Sequence, residues 1–207
     1  LSDCAFANGF DLPGYCNSSM VVTFSAGTHA WIDEVVCSKT ITITGAGAGV
    51  TILDAGAARR FVKLGSGCIL VLRDLTLSRG AAADGGALFL EAAASLNMRG
   101  VALQDNAATA GSGGAIYNDG GTVSGVGVQF SRNTASVRGG AAFMAAGSTV
   151  AMSAGTTFQN NTAAALGLSG CAFASGFDLP GYCNSSMGDS FTIAAGTHAW
   201  TDEVVCS

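Results

Sequence analysis

Hydrophobic and polar residues alternate along most of this chain, in short runs that return at a nearly constant spacing. One such run is LVLRDLTL at 70–77, where apolar residues occupy alternate positions and the phase changes at Arg73-Asp74. Alternation with a period of two is typical of a β-strand with one face in a core. The change of phase indicates a corner, so each run predicts two short strands joined at an angle.

The run at 70–77 defines four apolar slots, and each slot returns three more times. The first slot holds Leu70, Leu96, Val123 and Val150, at steps of 26, 27 and 27 residues. The other slots hold Leu72, Met98, Gly125 and Met152; Leu75, Val101, Val128 and Thr156; and Leu77, Leu103, Phe130 and Phe158. Because residues of one slot should stack in a shared core, the pattern predicts an all-β fold. The expected architecture is a right-handed single-stranded parallel β-helix, a solenoid with coils of about 26–28 residues.

Two shorter motifs recur at the same spacing and are assigned to the corners. Three residues after the fourth slot stand Gly80, Asn106, Asn133 and Asn161. The three asparagines are predicted to form a ladder in which amide bonds to amide along the stack. The motif Gly-Gly-Ala returns at 85–87, 113–115 and 139–141. Glycine there would supply the positive φ of a tight corner.

A much longer repeat relates the two ends of the chain. The segment CAFANGFDLPGYCNSSM at 4–20 returns as CAFASGFDLPGYCNSSM at 171–187, and AGTHAW at 26–31 returns at 195–200. The chain is therefore expected to be one module and the start of the next, taken from a longer tandem array. The expected domains are a disulfide-bonded inter-module segment at 1–20, a β-helix module at 21–167 and the truncated next module at 168–207.

Seven cysteines follow the long repeat, and four of them belong to one module. Four per module without a CxxC pair favours two disulfides over the alternative of a zinc site, so no metal is expected. The predicted disulfides are Cys4–Cys16, Cys37–Cys68 and Cys171–Cys183, with the partner of Cys206 outside the chain. Disulfides imply an oxidising compartment, and we expect an extracellular or cell-surface protein.

N-glycosylation sequons are present at Asn17, Asn160 and Asn184. Asn17 and Asn184 directly follow a cysteine, which predicts a surface loop held by a disulfide. The sequence leaves open whether the sequons carry glycans or are unused.

Several short phrases carry a family resemblance. The motifs are GGAI at 113–116, FSRN at 130–133 and FQNN at 158–161, with weaker copies GGAL at 85–88 and LQDN at 103–106. They resemble the repeats of the chlamydial polymorphic outer-membrane proteins. GVTILDAG and LVLRDLTL are similar to strands of right-handed β-helices of the pectin-lyase-like class. The resemblance covers roughly residues 40–165 and implies surface display and adhesion. The cysteine-rich segment departs from that pattern and, with the sequons, suggests a secreted eukaryotic array.

Charge and composition narrow the possible chemistry. Charged residues are 11% of the chain and the net charge is −5, so no nucleic-acid partner is expected. No apolar run is long enough to predict a membrane span. The acids are scattered, without an Asp-Asp pair or an Asp-x-Asp run, so no catalytic residue and no cofactor are expected.

Three side-chain groups admit a functional and a structural interpretation. Arg59, Arg60 and Lys63 could bind an acidic sugar, although a solvated corner is favoured. His29 could be a ligand or a base, although a packed or hydrogen-bonded histidine is favoured. Trp31 could be a sugar platform, but a position at the seam between modules is preferred.

The sequence therefore predicts a structural tandem-repeat protein of an extracellular filament, cell-surface appendage or adhesive stalk. The expected partners are neighbouring modules of the same chain, other filament subunits and possible glycans. The alternative is a carbohydrate-binding or polysaccharide-cleaving β-helix protein, and the absence of a recognisable acid–base pair favours a non-enzyme.

Overall fold

A computed structural model describes residues 15–16, 19–153, 155–164, 171–173, 177–179, 191–193 and 204–205. Throughout these residues the regular structure consists of β-strands, and none of them lies in a helix. The short alternating runs seen in the sequence are therefore strands, and turns of a few residues join them.

The strands follow one another in five coils and the first part of a sixth, after an initial strand β1 (Tyr15–Cys16). Coil 1 contains β2 (Met20–Thr23), β3 (Gly27–Ala30) and β4 (Val35–Cys37), and coil 2 contains β5 (Thr40–Thr44), β6 (Thr51–Asp54) and β7 (Val62–Leu64). Coil 3 contains β8 (Ile69–Ser78), β9 (Ala81–Ala82) and β10 (Leu88–Leu90), and coil 4 contains β11 (Ser95–Gln104), β12 (Ala107–Ala108) and β13 (Ile116–Asn118). Coil 5 contains β14 (Thr122–Val126), β15 (Gln129–Ser131), β16 (Thr134–Ala135) and β17 (Ala142–Met144). Coil 6 begins with β18 (Thr149–Met152), β19 (Thr157–Gln159) and β20 (Thr162–Ala163).

Within the coils each strand pairs in parallel with the strand one coil away, which builds three sheets along the axis. Sheet A runs β1-β4-β7-β10-β13-β17, and sheet C runs β9-β12-β16-β20. Sheet B has a first arm, β2-β5-β8-β11-β14-β18, and a second arm, β3-β6-β8-β11-β15-β19. The long strands β8 and β11 belong to both arms. The predicted fold class, an all-β parallel β-helix, is confirmed.

The register of sheet B matches the predicted slots. Leu70 pairs with Leu96, Leu96 with Val123 and Val123 with Val150. All four side chains are buried in one continuous apolar core. The third slot ends in the polar Thr156, whose hydroxyl donates to the Ser153 carbonyl at 2.9 Å. Stacking of like side chains at the spacing of adjacent strands therefore fills the interior.

The corner inside sheet B lies where the sequence changes phase. Asp74, Gly100, Gly127 and Gly155 all have φ between 52° and 82°. Asp74 and Gly100 interrupt the pairing of β8 with β11, which resumes at Leu75 and Val101. The left-handed residue turns the strand so that apolar side chains stay inside on both arms.

The Gly-Gly corners differ in part from the prediction. The first glycines, Gly85, Gly113 and Gly139, have positive φ, as expected. The second glycines do not, and they are required for a different reason. A Cβ on Gly114 would lie 1.9 Å from the Gly140 carbonyl oxygen of the next coil. This position needs glycine because stacked backbones approach too closely for any side chain.

Beyond coil 6 the structure describes β21 (Cys171–Phe173), β22 (Phe177–Leu179), β23 (Phe191–Ile193) and β24 (Val204–Val205). Strand β22 pairs in parallel with β17 of sheet A, and β23 pairs in parallel with β18 of sheet B. Strand β21 pairs antiparallel with both β22 and β24. Strands from the second copy of the long repeat thus continue two sheets of the first.

Candidate functional site: stacking ladders and an outer groove

The asparagine column lies at the corner between sheets B and C. Asn106 Nδ2 donates to Asn133 Oδ1 at 2.9 Å, and Asn133 Nδ2 donates to Asn161 Oδ1 at 2.8 Å. All three side chains are buried, Asn133 completely. Asn106 Oδ1 accepts the Gly80 amide of coil 3 at 2.7 Å. The structure thus brings the three asparagines together, and Gly80 ends the ladder with its backbone.

The ladder also satisfies the backbone of the corner. Asn133 Oδ1 accepts the Asn106 amide at 3.0 Å, and Asn133 Nδ2 donates to the Leu103 carbonyl at 2.8 Å. Each side chain therefore joins its own coil to a neighbour with bonds shielded from water. Buried polar groups that are fully paired stabilise a single register, because any shift would leave amides without partners.

A column of charges lies immediately outside the asparagines. Its positions directly precede those of the asparagine column and have φ between 53° and 58°. Three of them are charged, Arg79, Asp105 and Arg132, and the last is the neutral Asn160. The Arg79 guanidinium forms an ion pair with Asp54 one coil below. Arg132 Nε lies 2.7 Å from Asp105 Oδ1. The column thus alternates in sign and is neutralised along the axis.

These pairs change the protonation of the acids. The hydrogen bond from Arg79 holds the pKa of Asp54 below its usual value, against the effect of burial. The hydrogen bond from Arg132 likewise lowers the pKa of Asp105, with Gln104 and the nearby charge of Arg79 adding to the effect. Both acids are therefore ionised in the folded protein at neutral pH.

An aromatic column runs along the outer face of sheet A. The ring centroids of Phe89 and Tyr117 are 5.0 Å apart, as are those of Tyr117 and Phe143, and the rings are stacked. The Arg60 guanidinium lies 5.1 Å from the Phe89 ring, and the Arg138 guanidinium lies 5.4 Å from the Phe143 ring. The ring faces contact one another or cations, so the column does not offer an open face for a sugar.

Arg60 differs from the solvated corner that the sequence favoured. Its side chain is only 12% exposed and forms an ion pair with Glu34 at 2.9 Å. It also donates to the carbonyls of Gly85 and Asp84, at 2.9 Å and 2.7 Å. Burial lowers the pKa of Arg60 despite the neighbouring acids. The residue is a clamp between coils 1, 2 and 3, whereas Lys63 forms a half-exposed ion pair with Glu91.

One predicted disulfide lies within the described residues, and the structure contains it. Cys37 is the last residue of β4, and Cys68 lies just before β8. Their Cα atoms are 5.7 Å apart. Both cysteines are fully buried. The pairs Cys4–Cys16 and Cys171–Cys183 involve side chains outside the described part of the chain, as does Cys206, and they stay predictions.

The three sequons differ in what the structure describes. Asn160 lies at the end of the charge column, in an exposed left-handed position with φ of 54°. Its exposure leaves the side chain accessible to modification. Asn17 and Asn184 lie outside the described residues.

The histidine and tryptophan of the AGTHAW motif have structural contacts. His29 Nε2 lies 3.0 Å from the Ser25 carbonyl, and its ring meets Phe24 edge-on at 5.1 Å. Trp31 is buried and packs against Phe61 of coil 2, and its Nε1 donates to the Phe61 carbonyl at 3.2 Å. Trp31 therefore packs between coils 1 and 2 of the module, and its position at a seam between modules stays a prediction.

The outer face of the first arm of sheet B carries a shallow groove of about 330 Å³. It crosses coils 3 to 6, and its polar lining comes from Arg73, Arg99, Asn97, Ser124 and Ser153. Ser124 Oγ donates to Asn97 Oδ1 at 2.6 Å. Arg73 and Arg99 face each other in register in adjacent coils. In this groove the Arg73 and Arg99 guanidinium groups lie beside the polar side chains of Asn97, Ser124 and Ser153.

Several of these features were not predicted from the sequence. The charge column and the aromatic column recur at the coil period, so aligning the polar and outward positions by slot would have revealed them. Asn118 is also buried, and its side chain closes a turn with the Gly121 amide and carbonyl at 2.8 Å and 3.0 Å. It occurs once, so no repeat pointed to it.

Searches of family models, of curated proteins and of solved structures found nothing that matches this chain. Among the described residues there is no cluster of His, Cys, Asp and Glu able to hold a metal ion. The part of the chain that the structure describes also contains no helix long and apolar enough to cross a membrane.

Proposed function

We propose that this protein is a structural tandem-repeat β-helix, whose modules stack end to end as the shaft of an extracellular filament, cell-surface appendage or adhesive stalk. The observation that carries the proposal is the parallel pairing of β22 with β17 and of β23 with β18. The second copy of the long repeat thereby extends the sheets of the first. One solenoid passing through successive modules accounts for both the pairing and the repeat.

The ends of the solenoid support the same conclusion. The last strand of a parallel sheet exposes a row of unpaired amides and carbonyls, which favours pairing with another strand. In sheet B, six strands of the first arm precede β23, namely β2, β5, β8, β11, β14 and β18. At about 4.8 Å per layer, one module corresponds to about 29 Å of shaft.

The internal construction also suits a shaft. The buried amides, the alternating charges and the stacked rings all bond along the axis, so each coil depends on its neighbours. Stability of this kind increases with the number of stacked units until the end effects become small. The Cys37–Cys68 disulfide agrees with an oxidising, extracellular location.

The handedness of the coil and the role at the cell surface are proposed from the motifs of the sequence. The phrases GGAI and FSRN, and the resemblance to pectin-lyase-like helices, support a right-handed coil and a role in surface display or adhesion. We propose no catalytic activity and no cofactor, because the described acids are engaged in ion pairs along the axis or are scattered over the surface.

The proposal is tested with arrays of one, two and three modules, each module spanning the repeat from Cys4 to Gly170. We expect the melting temperature to rise from one module to two and the particle length to grow by about 29 Å per added module. Small-angle scattering and electron microscopy measure the length, and calorimetry measures the melting. Equal melting temperatures together with independently tumbling modules would contradict a continuous shaft.

A further inference from the structure

We propose that the groove on the first arm of sheet B binds an anionic saccharide, with Arg73 and Arg99 holding its sulfate or carboxylate groups. The site lies on the outer face of coils 3 to 6. It goes beyond the structural role, because it requires only an intact solenoid and not the assembly of modules into a filament.

The first argument is the contrast between these two arginines and others in the described part of the chain. Arg60, Arg79 and Arg132 each form an ion pair with an acid one coil away. Arg73 and Arg99 are exposed, and no acid among the described residues forms an ion pair with either of them. Among the described residues Arg59 and Arg138 likewise form no ion pair, so Arg73 and Arg99 are distinguished by lying in register on adjacent strands and lining one groove.

The second argument is the register of the pair. Arg99 pairs directly with Arg73 across adjacent parallel strands, about 4.8 Å apart. Like charges directly opposite each other on a sheet are destabilising. An anion between the two guanidinium groups would remove this repulsion. Each guanidinium could also bind a sulfate or carboxylate through two parallel N–H donors.

The third argument is the polar lining beside the arginines. Asn97 lines the groove and its Oδ1 accepts from Ser124, so its Nδ2 hydrogens are the groups it could donate to a ligand. Ser124 and Ser153 use their hydroxyl hydrogens within the protein, and their oxygens can therefore accept from sugar hydroxyls. The mixture of cationic donors, an amide and hydroxyl oxygens fits a ligand that carries both anionic groups and hydroxyls.

The fourth argument is the shape and the apolar part of the groove. Val71, Val126 and Ala151 lie among the polar groups, and Val126 is 53% exposed. Short apolar side chains can contact the C–H face of a sugar ring. Four layers span about 14 Å along the axis, which accommodates a few residues of an extended saccharide. The net charge of −5 of the chain, and a groove lining with two cationic side chains, argue against a long polyanion such as nucleic acid.

The test measures binding of short oligosaccharides to the 207-residue chain by calorimetric titration at low salt. The probes are a sulfated oligosaccharide, an oligouronate and a neutral oligosaccharide of equal length. We expect at least one charged probe to bind, the neutral probe to bind at least about tenfold more weakly, and salt to weaken the interaction. The charged probe that binds identifies the source of the anionic group.

The variant Arg73→Gln/Arg99→Gln is expected to weaken binding of the charged probe at least about tenfold. The matched control is Lys39→Gln/Arg59→Gln, which removes the same charge elsewhere and should leave affinity within about twofold. The variant Arg73→Lys/Arg99→Lys keeps the charge and should bind with intermediate affinity, because lysine lacks the planar fork. Circular dichroism establishes that each variant is folded.

Two results would overturn the proposal. One is the failure of both charged probes to bind the parent chain. The other is equal loss of affinity in the groove variant and in the control, which would indicate attraction by overall charge. Neither result concerns the length or melting of multi-module arrays, so the shaft and the saccharide site can fail separately.

Discussion

Coils 1 and 2 share sheets A and B with coils 3 to 6 but have no strand in sheet C, and the two regions are held together by different interactions. From coil 3 onward the first slot advances by 26 or 27 residues, whereas Ile41 of coil 2 pairs with Leu70 of coil 3, 29 residues later. The asparagine ladder spans the regular coils and ends on Gly80. The irregular coils have instead the Cys37–Cys68 disulfide and the Arg60 clamp.

The difference follows from what a ladder requires. An amide can bond to the amide above it only when both occupy the same position of their coils, so a constant coil length is needed. The segment between β5 and β6 changes that length in coil 2. A disulfide or a long arginine side chain tolerates such variation, because each needs only two or three groups to meet. Regular coils are thus joined by side chains that repeat at the same position of every coil, and irregular coils are joined by individual cross-links.

The largest expected effect comes from placing a charge in the core of the regular coils. Leu72→Asp and Val101→Asp should each lower the free energy of unfolding by several kcal/mol, because a buried carboxylate has no partner there. The matched control is Val126→Asp on the outer face, which should cost under about 1 kcal/mol. Chemical denaturation followed by circular dichroism measures both. Similar stability of the core and outer variants would show that the slots are assigned to the wrong face.

Removal of the disulfide should destabilise coils 1 and 2 more than the regular coils. The variant Cys37→Ala/Cys68→Ala should lose about 3–4 kcal/mol of stability, since the bond closes a loop of 31 residues. We expect hydrogen exchange to accelerate in coils 1 and 2 and to change little in coils 4 and 5. Mass spectrometry of exchanged peptides resolves the coils. A uniform increase in exchange would mean that the solenoid unfolds as one unit.

Breaking the asparagine ladder should destabilise the regular coils more than coils 1 and 2, the reverse of removing the disulfide. Asn133→Ala removes the central amide and leaves buried groups of Asn106 and Asn161 unpaired, at an expected cost of about 2–3 kcal/mol. Hydrogen exchange should accelerate in coils 4 to 6 first. Asn97→Ala on the outer face is the control and should be nearly neutral. Equal effects of the two substitutions would argue that the ladder does not stabilise the stack.

The smallest expected effect concerns the charge column and appears only in acid. The pKa values of Asp54 and Asp105 are lowered in the folded state, so their contribution is present above the ordinary carboxyl pKa, about 3.9, and is lost as pH falls through the lower folded-state values. The pairs are partly exposed, so we expect about 1 kcal/mol or less from each. Denaturation at pH values from about 6 to about 2.5 measures the loss.

The control for the charge column is Arg79→Gln/Arg132→Gln, which removes both guanidinium partners. In this variant the two acids should titrate nearer their ordinary pKa, so stability should depend less on pH in the acid range. An unchanged pH dependence would show that the column is not the source of the acid sensitivity.

The slots of the core and the asparagine column could be derived from the sequence because they obey one rule. Leu70, Leu96, Val123 and Val150 recur at the coil period, and burial requires an apolar side chain in every layer. The same reasoning found the corner at Arg73-Asp74, whereas the left-handed conformation of Asp74 was seen only in the structure. It explained the Gly-Gly motif only in part, because the closeness of Gly114 to the next coil depends on how the backbones stack.

The sequence by itself determined the parallel β-helix, its coil length and the residues that face inward, since periodic burial leaves a periodic pattern. Only the tertiary structure decided which outward side chains meet. Arg60 and Arg73 are both arginines near a corner, yet one is buried against Glu34 and backbone carbonyls while the other lies in an open groove. Their difference arises from neighbours contributed by other coils, and those contacts depend on register and on side-chain direction rather than on local sequence.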